Sequence, residues 1–386
     1  MAKKALLTVD GIYRKTKSGF LTVDGVYRKV KKAYETIGGV YRPCWSSGLE
    51  YYGRVTPLSV GVINPAATNL PDYALFAGGE KSADGMGTNN PNRYSERVDA
   101  FDKNLTRYDA GQFSSSRTNV GAASVNGVAM FAGGSRGSDT KLNDVFKVDN
   151  TLTTTKATTN LSSNQDNLRA TDIGDCVVFG NGITTSGGWQ RAYYFYNTEL
   201  TRVNVLTGGN KGRSAAVTIG NKAIFAGGYS GASSTVNKNT DIITDTNTVL
   251  GGTDLSLARA YLTATTVGGY AIFGGGQDGT TRTNRVDVLN EDLTLVSGVD
   301  NLSEARSNFP AVTIQDCALF IGGEIKSGKS ATVDAYSADL VHTVPQGLSE
   351  TRSLHNATTV GDYVLVGGGS TPSAERESSV EAYIYS

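Results

Sequence analysis

Apolar residues in this chain come in short runs that end on glycine, with stretches of polar, turn-forming residues between them. Seven such runs occur. They are Leu75-Phe76-Ala77-Gly78-Gly79, Met130-Phe131-Ala132-Gly133-Gly134, Val178-Phe179-Gly180-Asn181-Gly182, Ile224-Phe225-Ala226-Gly227-Gly228, Ile272-Phe273-Gly274-Gly275-Gly276, Leu319-Phe320-Ile321-Gly322-Gly323 and Leu365-Val366-Gly367-Gly368-Gly369. The first glycines of successive runs lie 55, 47, 47, 47, 48 and 45 residues apart. Short runs of this composition, bounded by turn residues, read as strands. A period of roughly 40 to 50 residues marks radially repeated sheets, one four-stranded sheet per repeat.

The sixth repeat spells out the unit. An inner strand over 308–314 is followed by a second strand, Cys317 to Ile321, then a polar loop through Lys329. A third strand follows over 332–336, and an outer strand over 341–344. Third strands recur as Arg97-Val98-Asp99-Ala100-Phe101, Arg285-Val286-Asp287-Val288-Leu289 and Ser379-Val380-Glu381-Ala382-Tyr383, among others. Their alternation sets one face against the neighbouring sheet and the other toward polar partners. The turn after them opens on Asp102, Asp149, Asn197 or Asn290, residue types whose side chains bond the backbone just ahead. The glycine pairs read as structural, because no helix follows them to supply a dipole for phosphate. Arg117, Arg213, Arg259, Arg306 and Arg352 precede inner strands, with Arg169 less well aligned. A residue repeated in every unit serves what the units share, so these read as packing groups rather than as an anion-binding ring. The seventh repeat stops one strand short, and Leu49 to Val55 lies just before the first repeat. That segment is expected to complete the last sheet and leave no unpaired edge.

Residues 1–47 obey a different rule. Asp10-Gly11-Ile12-Tyr13-Arg14 recurs as Asp24-Gly25-Val26-Tyr27-Arg28 and as Gly38-Gly39-Val40-Tyr41-Arg42, a 14-residue period. Asp-Gly and Gly-Gly fit two-residue hairpin turns, so each unit is expected to be a small hairpin. Units this small stack on each other, on the larger domain or on another chain.

Two resemblances follow from these motifs. The Gly-Val-Tyr-Arg repeats resemble short repeats near the ends of tail-associated and other structural proteins of bacteriophages. Residues 48–386, with glycine pairs after apolar strands, resemble a kelch-type β-propeller. The only tryptophans, Trp45 and Trp189, are not on outer strands, where kelch repeats usually carry one. The expected fold is all-β, a seven-bladed kelch-like β-propeller over 48–386 closed by strand 49–55 and preceded by a hairpin-repeat module over 1–47.

Charge supports two parts with different surroundings. The 36 basic and 36 acidic residues balance overall, but residues 1–45 hold ten Lys or Arg against three acidic residues. That region therefore carries +7 and the remainder −7. No aromatic stacking platform accompanies the basic residues, which argues against a nucleic-acid partner and for protection of strand edges. No apolar run reaches the roughly 18 residues of a membrane span, and Met1 to Leu7 lacks the apolar core of a signal peptide. Cys44, Cys176 and Cys317 have no framework spacing and read as free thiols.

Chemistry leaves no signature. His342 and His355 are the only histidines, and no His or Cys set has metal spacing. Kelch-like propellers include copper radical oxidases, whose histidine, tyrosine and cysteine cluster has no visible counterpart here. Ser82-Ala83-Asp84-Gly85 lacks the spacing and tryptophan of a sialidase turn. No catalytic residue, metal or cofactor is therefore assigned. Ligand-binding candidates are loop residues that differ between repeats: Asn90, Arg93, Tyr94, Trp189, Gln190, Arg191 and Tyr229. Tyr13, Arg14, Tyr27, Arg28, Tyr41 and Arg42 are the candidates for anchoring to a partner. The resemblances imply a virion protein, assembled in the host cytoplasm. It would be anchored to other virion proteins through 1–47 and would recognise a bacterial surface glycan or protein, as a tail fibre or a decoration protein. Self-association is compatible with either part. The alternatives are an enzyme that cleaves surface polysaccharide and a cytosolic kelch scaffold.

Overall fold

Residues of the apolar runs are mostly β-branched, aromatic or alanine, with leucine or methionine opening four of them and helix-breaking glycine at their ends, and every one of these runs is extended. The computed structural model describes residues 48–81, 90–137, 140–189, 191–208, 210–230, 235–244 and 248–385, together with the backbone of six strands within 6–46. The chain divides into two compact units, Met1–Glu50 with Ile384–Ser386, and Tyr51–Tyr383.

The first unit contains three antiparallel hairpins. Leu6–Val9 pairs with Ile12–Lys15, Phe20–Val23 with Val26–Lys29, and Lys32–Ile37 with Val40–Ser46. Closing pairs Val9 with Ile12, Val23 with Val26 and Ile37 with Val40 leave two residues for each turn, as Asp-Gly and Gly-Gly require. Tyr13, Arg14, Tyr27, Arg28, Tyr41 and Arg42 lie on the second strands, and their side chains fall outside the described residues.

The second unit is built from small antiparallel sheets. Sheet 1 holds Ala66–Asn69, Tyr73–Ala77, Arg97–Asp102 and Arg107–Gln112. Sheet 2 holds Gly121–Val125, Val128–Ala132, Val145–Asp149 and Thr154–Lys156. Sheet 3 holds Arg169–Ile173, Cys176–Gly180, Ala192–Asn197 and Arg202–Thr207. Sheet 4 holds Ala215–Ile219, Lys222–Ala226, Thr240–Thr244 and Val249–Gly251. Sheet 5 has three strands, Thr263–Val267, Tyr270–Gly274 and Val286–Leu289. Sheet 6 holds Ala311–Ile314, Cys317–Ile325, Gly328–Ser337 and His342–Thr343. In sheet 7, Asn356–Val360, Tyr363–Gly367 and Val380–Tyr385 are followed by Leu49–Val55 beside the third strand. The first strand of each sheet lies beside the first strand of the next, and that of sheet 7 lies beside that of sheet 1.

The apolar core sits between sheets. One cluster joins Leu75 and Val98 of sheet 1 to Phe131 and Phe146 of sheet 2, and another joins Phe76 and Phe101 of sheet 1 to Leu365 and Val380 of sheet 7. Second strands such as Tyr73–Ala77 and Lys222–Ala226 are buried on both faces, which is why they read as continuous apolar runs.

In six of the seven repeats a glycine pair stitches one sheet to the next. Its second member donates its N–H to a carbonyl ahead of the next inner strand: Gly79 to Arg117, Gly134 to Gln165, Gly228 to Arg259, Gly276 to Arg306 and Gly323 to Arg352, all at 2.8–2.9 Å. Gly369 donates to Val62 at 2.7 Å. At Gly276 φ is +102°, and an added Cβ would lie 2.7 Å from the Ala260 carbonyl oxygen. Only glycine fits there. The structurally equivalent pairs are shifted by one residue in two repeats, to Gly275-Gly276 and Gly368-Gly369, and Asn181, at φ +57°, replaces the first glycine in the third. Gly180, Gly274 and Gly367 are strand residues lying against the rings of Tyr193, Phe320 and Phe76.

One local expectation changes. The loop expected through Lys329 is a hairpin, because the second and third strands of sheet 6 continue pairing to Ile325 and Gly328. In the turns after the third strands, the Asp102, Asp149, Asn197 and Asn290 side chains accept backbone N–H groups as expected. The left-handed residues there are leucines, Leu105, Leu152, Leu200 and Leu293, with φ of 59–65°. Leu105 and Leu200 are buried in clusters between sheets, and that burial offsets the strain.

Candidate functional site

Four of the repeated arginines are consumed by packing. Arg117, Arg259, Arg306 and Arg352 are fully buried, and each faces a carboxylate on the third strand of its sheet or just ahead of it. Arg117 meets Asp144 at 3.0 Å, Arg259 meets Asp287 at 2.7 Å, Arg352 meets Glu381 at 2.9 Å, and Arg306 pairs with Asp334. Other donors bond backbone carbonyls, such as Gly133 for Arg117 and Gly275 for Arg259, while the Nε of Arg306 and of Arg352 has no partner. Since the backbone carbonyl of each also receives a glycine N–H from the preceding sheet, one residue latches two sheets. Lys211 takes this position in sheet 4, 3.1 Å from Asp241. In sheet 3 it is Gln165, buried, with both amide atoms lacking a partner.

Arg213 and Arg169 belong to a different set. Two or three residues ahead of each inner strand the chain enters the left-handed region, at Asn64, Asn119, Asn167, Arg213, Tyr261, Asn308 and Leu354, with φ between 50° and 57°. The spacing of these residues matches that of the left-handed members of the glycine pairs. They surround a cavity of about 300 Å³ where the first strands begin. Asparagine suits such a backbone; arginine, tyrosine and leucine there are strained. Arg169, which follows Asn167, also lines the cavity, and its Nε donates to the Ser214 carbonyl at 2.6 Å. Among the described residues neither Arg169 nor Arg213 makes an ion pair, the Nε of Arg213 has no partner, and no Asp or Glu lines the cavity. Burial, then the charge of Arg213, pulls Arg169 down to about 10.

An aromatic ladder leads away from this cavity. The Arg213 guanidinium sits over the Tyr261 ring at 4.5 Å, Tyr261 meets Tyr229 edge-on at 5.8 Å, and Tyr229 stacks on Trp189 at 6.3 Å. Trp189 lies against Gly212, where any Cβ would strike its ring. Two sequence candidates, Trp189 and Tyr229, thus come together, joined to the cavity by Tyr261 and Arg213. Exposed Arg191 follows Trp189 closely in sequence, and Gln190 lies outside the described residues.

The candidates on the first loop are built into the fold. Asn90 accepts the Asn92 N–H and caps the short turn Pro91–Arg93. Arg93 pairs with Glu80 at 2.7 Å, and Glu80 also holds Arg376 at 2.6 Å. Tyr94 is buried and lines a second cavity of about 350 Å³ with Glu80, Lys141, Asp166 and Arg213. Sequence reasoning missed Tyr261 altogether and grouped Arg213 with the packing arginines. The available signal was spacing: Lys211 lies 48 residues before Arg259, the repeat distance, and Arg213 lies 46 before it.

The histidines are apart in role. His342 hydrogen-bonds Asp334 at 2.7 Å and stacks on Tyr336. His355 is buried, and its Nε2–H donates to the Ile321 carbonyl at 3.0 Å.

The arrangement is that of an all-β, propeller-like protein with Arg169, Arg213 and Tyr261 gathered where its first strands begin. The solved structure of YjhT is similar to this chain, with a TM-score of 0.57 at 14% identity, covering 76% of this chain and 99% of that one. At that identity the likeness is one of fold. No protein-family model matches the chain, nor does any curated protein.

Proposed function

We propose that this chain is a bacteriophage structural protein, a virion-attached propeller that recognises a bacterial surface through one face and is anchored by residues 1–47. In this reading residues 48–386 form a closed, seven-bladed, kelch-like ring whose last blade is completed by Leu49–Val55. The cyclic succession of first strands supports the ring, as do two bonds that join the seventh repeat to the first: Gly369 N–H to Val62 O and Asn64 N–H to Leu354 O, both 2.7 Å.

The observation that carries recognition is the contrast between spent and unspent groups. The arginines of the latch face carboxylates, whereas Arg169 and Arg213 have none and stand beside the ladder of Tyr261, Tyr229 and Trp189. Loops and strand starts on a rigid scaffold are where binding is built. The 14-residue hairpins support the anchor, since units this small need a neighbour to bury against. The test is mass spectrometry of purified phage particles with antibody labelling in the electron microscope. Fixed stoichiometry at a tail tip, fibre or capsid is expected. Intact particles lacking the chain while soluble lysate contains it would overturn the assignment. Release of reducing ends from host polysaccharide by purified chain would assign glycan cleavage instead.

A further inference from the structure

We propose that the cavity at the starts of the first strands binds a small anionic group, a carboxylate or a phosphate, held by Arg169 and Arg213 with Tyr261 beside it. Wherever the latch uses a fully buried arginine, the chain supplies a carboxylate within 3.0 Å. Desolvating a guanidinium without a counter-charge is expensive, which explains that regularity. The cavity is different in kind: its two arginines are half-buried and face open space, and among the described residues no acidic side chain lines it and neither arginine makes an ion pair.

Arg213 also lines the second cavity with Glu80 and Asp166, but neither carboxylate pairs with it: Glu80 holds Arg93 and Arg376, and Asp166 is held by Lys141 at 3.0 Å. Asp172, on the same strand as Arg169, does not line the first cavity. The backbone adds a second argument. Four of the seven left-handed positions around the cavity are asparagine, the residue that tolerates this conformation. Arginine at the fourth position is strained, and such strain is retained where a side chain has a task. A planar fork suits bidentate capture of a carboxylate or phosphate, and about 300 Å³ admits a group of monosaccharide size. The ring of Tyr261, under the Arg213 guanidinium, offers an apolar face to the body of the ligand.

The inference rests on the reading of this face as the binding face and is independent of the virion assignment. The test is calorimetric titration of the full chain at low ionic strength with sodium glucuronate, inorganic phosphate and glucose. Saturable binding of glucuronate or of phosphate, with none of glucose, is expected; the anion that binds separates the two sources. Arg213→Asn places the residue used at equivalent positions and should fold, while weakening binding at least about ten-fold. Arg169→Gln, at an ordinary φ, should do the same and supplies the test if Arg213→Asn is unstable. No saturable binding of either anion, or unchanged affinity in both variants, overturns the site. Particles that carry the chain without anion binding would overturn the site alone. Anion binding by a chain absent from particles would overturn the virion role alone.

Discussion

Arg352→Met isolates the latch between sheets. Arg352 and Glu381 are both fully buried, and the guanidinium donates to Glu381 at 2.9 Å, Gly368 O at 2.9 Å, Ser379 O at 3.0 Å and Ser379 Oγ at 2.7 Å. Methionine fills much of the volume and leaves the backbone carbonyl to Gly323. It strands Glu381 with only neutral donors, the Tyr51 hydroxyl and the Ser349 N–H, each at 2.7 Å. Removing one partner of a buried pair typically costs about 3–5 kcal/mol, because the other charge stays buried. In a unit of this size that lowers the melting temperature by roughly 4–7 °C.

Two further variants decide the cause. Arg352→Met with Glu381→Gln removes both charges and should recover at least about 2 kcal/mol of the loss. Arg54→Ala removes a shorter pair, 2.5 Å from Glu350, on a side chain that is 48% exposed, and should cost under about 1 kcal/mol. Calorimetric and fluorescence melts of the four proteins give the answer. If Arg352→Met melts within about 2 °C of the parent, or the double variant loses the sum of the singles, burial of the pair is not what holds the sheets.

Three other outcomes follow from the same structure. Gly276→Ala should cost about 2–4 kcal/mol in a denaturant titration, whereas Gly279→Asn, at φ +59° with open space around it, should be nearly neutral; equal effects would refute the close-approach argument. Burial first, then the charge of Arg352, holds His355 down to about 3, so the unfolded chain binds a proton below pH 6.5 that the folded chain refuses. Stability should therefore fall as pH drops from about 6.5 toward 3, by at most about 1.4 kcal/mol per pH unit from this residue, and Glu or Asp titration aside, His355→Gln should flatten that slope in melts across pH; identical slopes would refute it. Deleting residues 48–56 removes the Tyr51–Tyr383 and Tyr52–Tyr363 ring pairs and the Tyr51–Glu381 bond, an expected loss of about 3–6 kcal/mol; a truncated chain that melts with the full one refutes the closing role.

The repeat was legible because its cause is local. An apolar strand buried on both faces followed by glycine at a close approach leaves a mark in any one repeat. The register was harder, because Gly180, Gly274 and Gly367 each extend a glycine pair by one residue, and only backbone angles separate strand glycines from stitching ones. The extended hairpin of sheet 6 was unreadable for the opposite reason. Beyond Gly323 the strands carry Glu324, Lys326 and Lys329, with no apolar pattern to announce them. Arg213 was misplaced because residue type was followed instead of spacing, and Tyr261 carries no local signal at all. Its meaning comes from a ladder assembled across sheets 3, 4 and 5.

Most departures from the repeat fall in sheets 3, 4 and 5, the sector in which the proposed anion site lies. Sheets 2, 5, 6 and 7 keep the latch arginine; sheet 1 has Val62, sheet 3 has Gln165 and sheet 4 has Lys211. The same sector carries Arg169, then Arg213 and Tyr261 in place of asparagine, with Trp189 and Tyr229 above them. In a structure where each sheet packs only on its neighbours, one sector can change without disturbing the rest. Two arginines without an ion pair and Tyr261 line one cavity, and Tyr229 and Trp189 continue the ladder from it, while sheets 2, 5, 6 and 7 are latched by ion pairs. The weakened latch in sheet 3, with its orphaned Gln165 amide, is a stability cost borne in the same sector as the unpaired arginines. That coincidence is what a binding sector inside an otherwise regular scaffold requires.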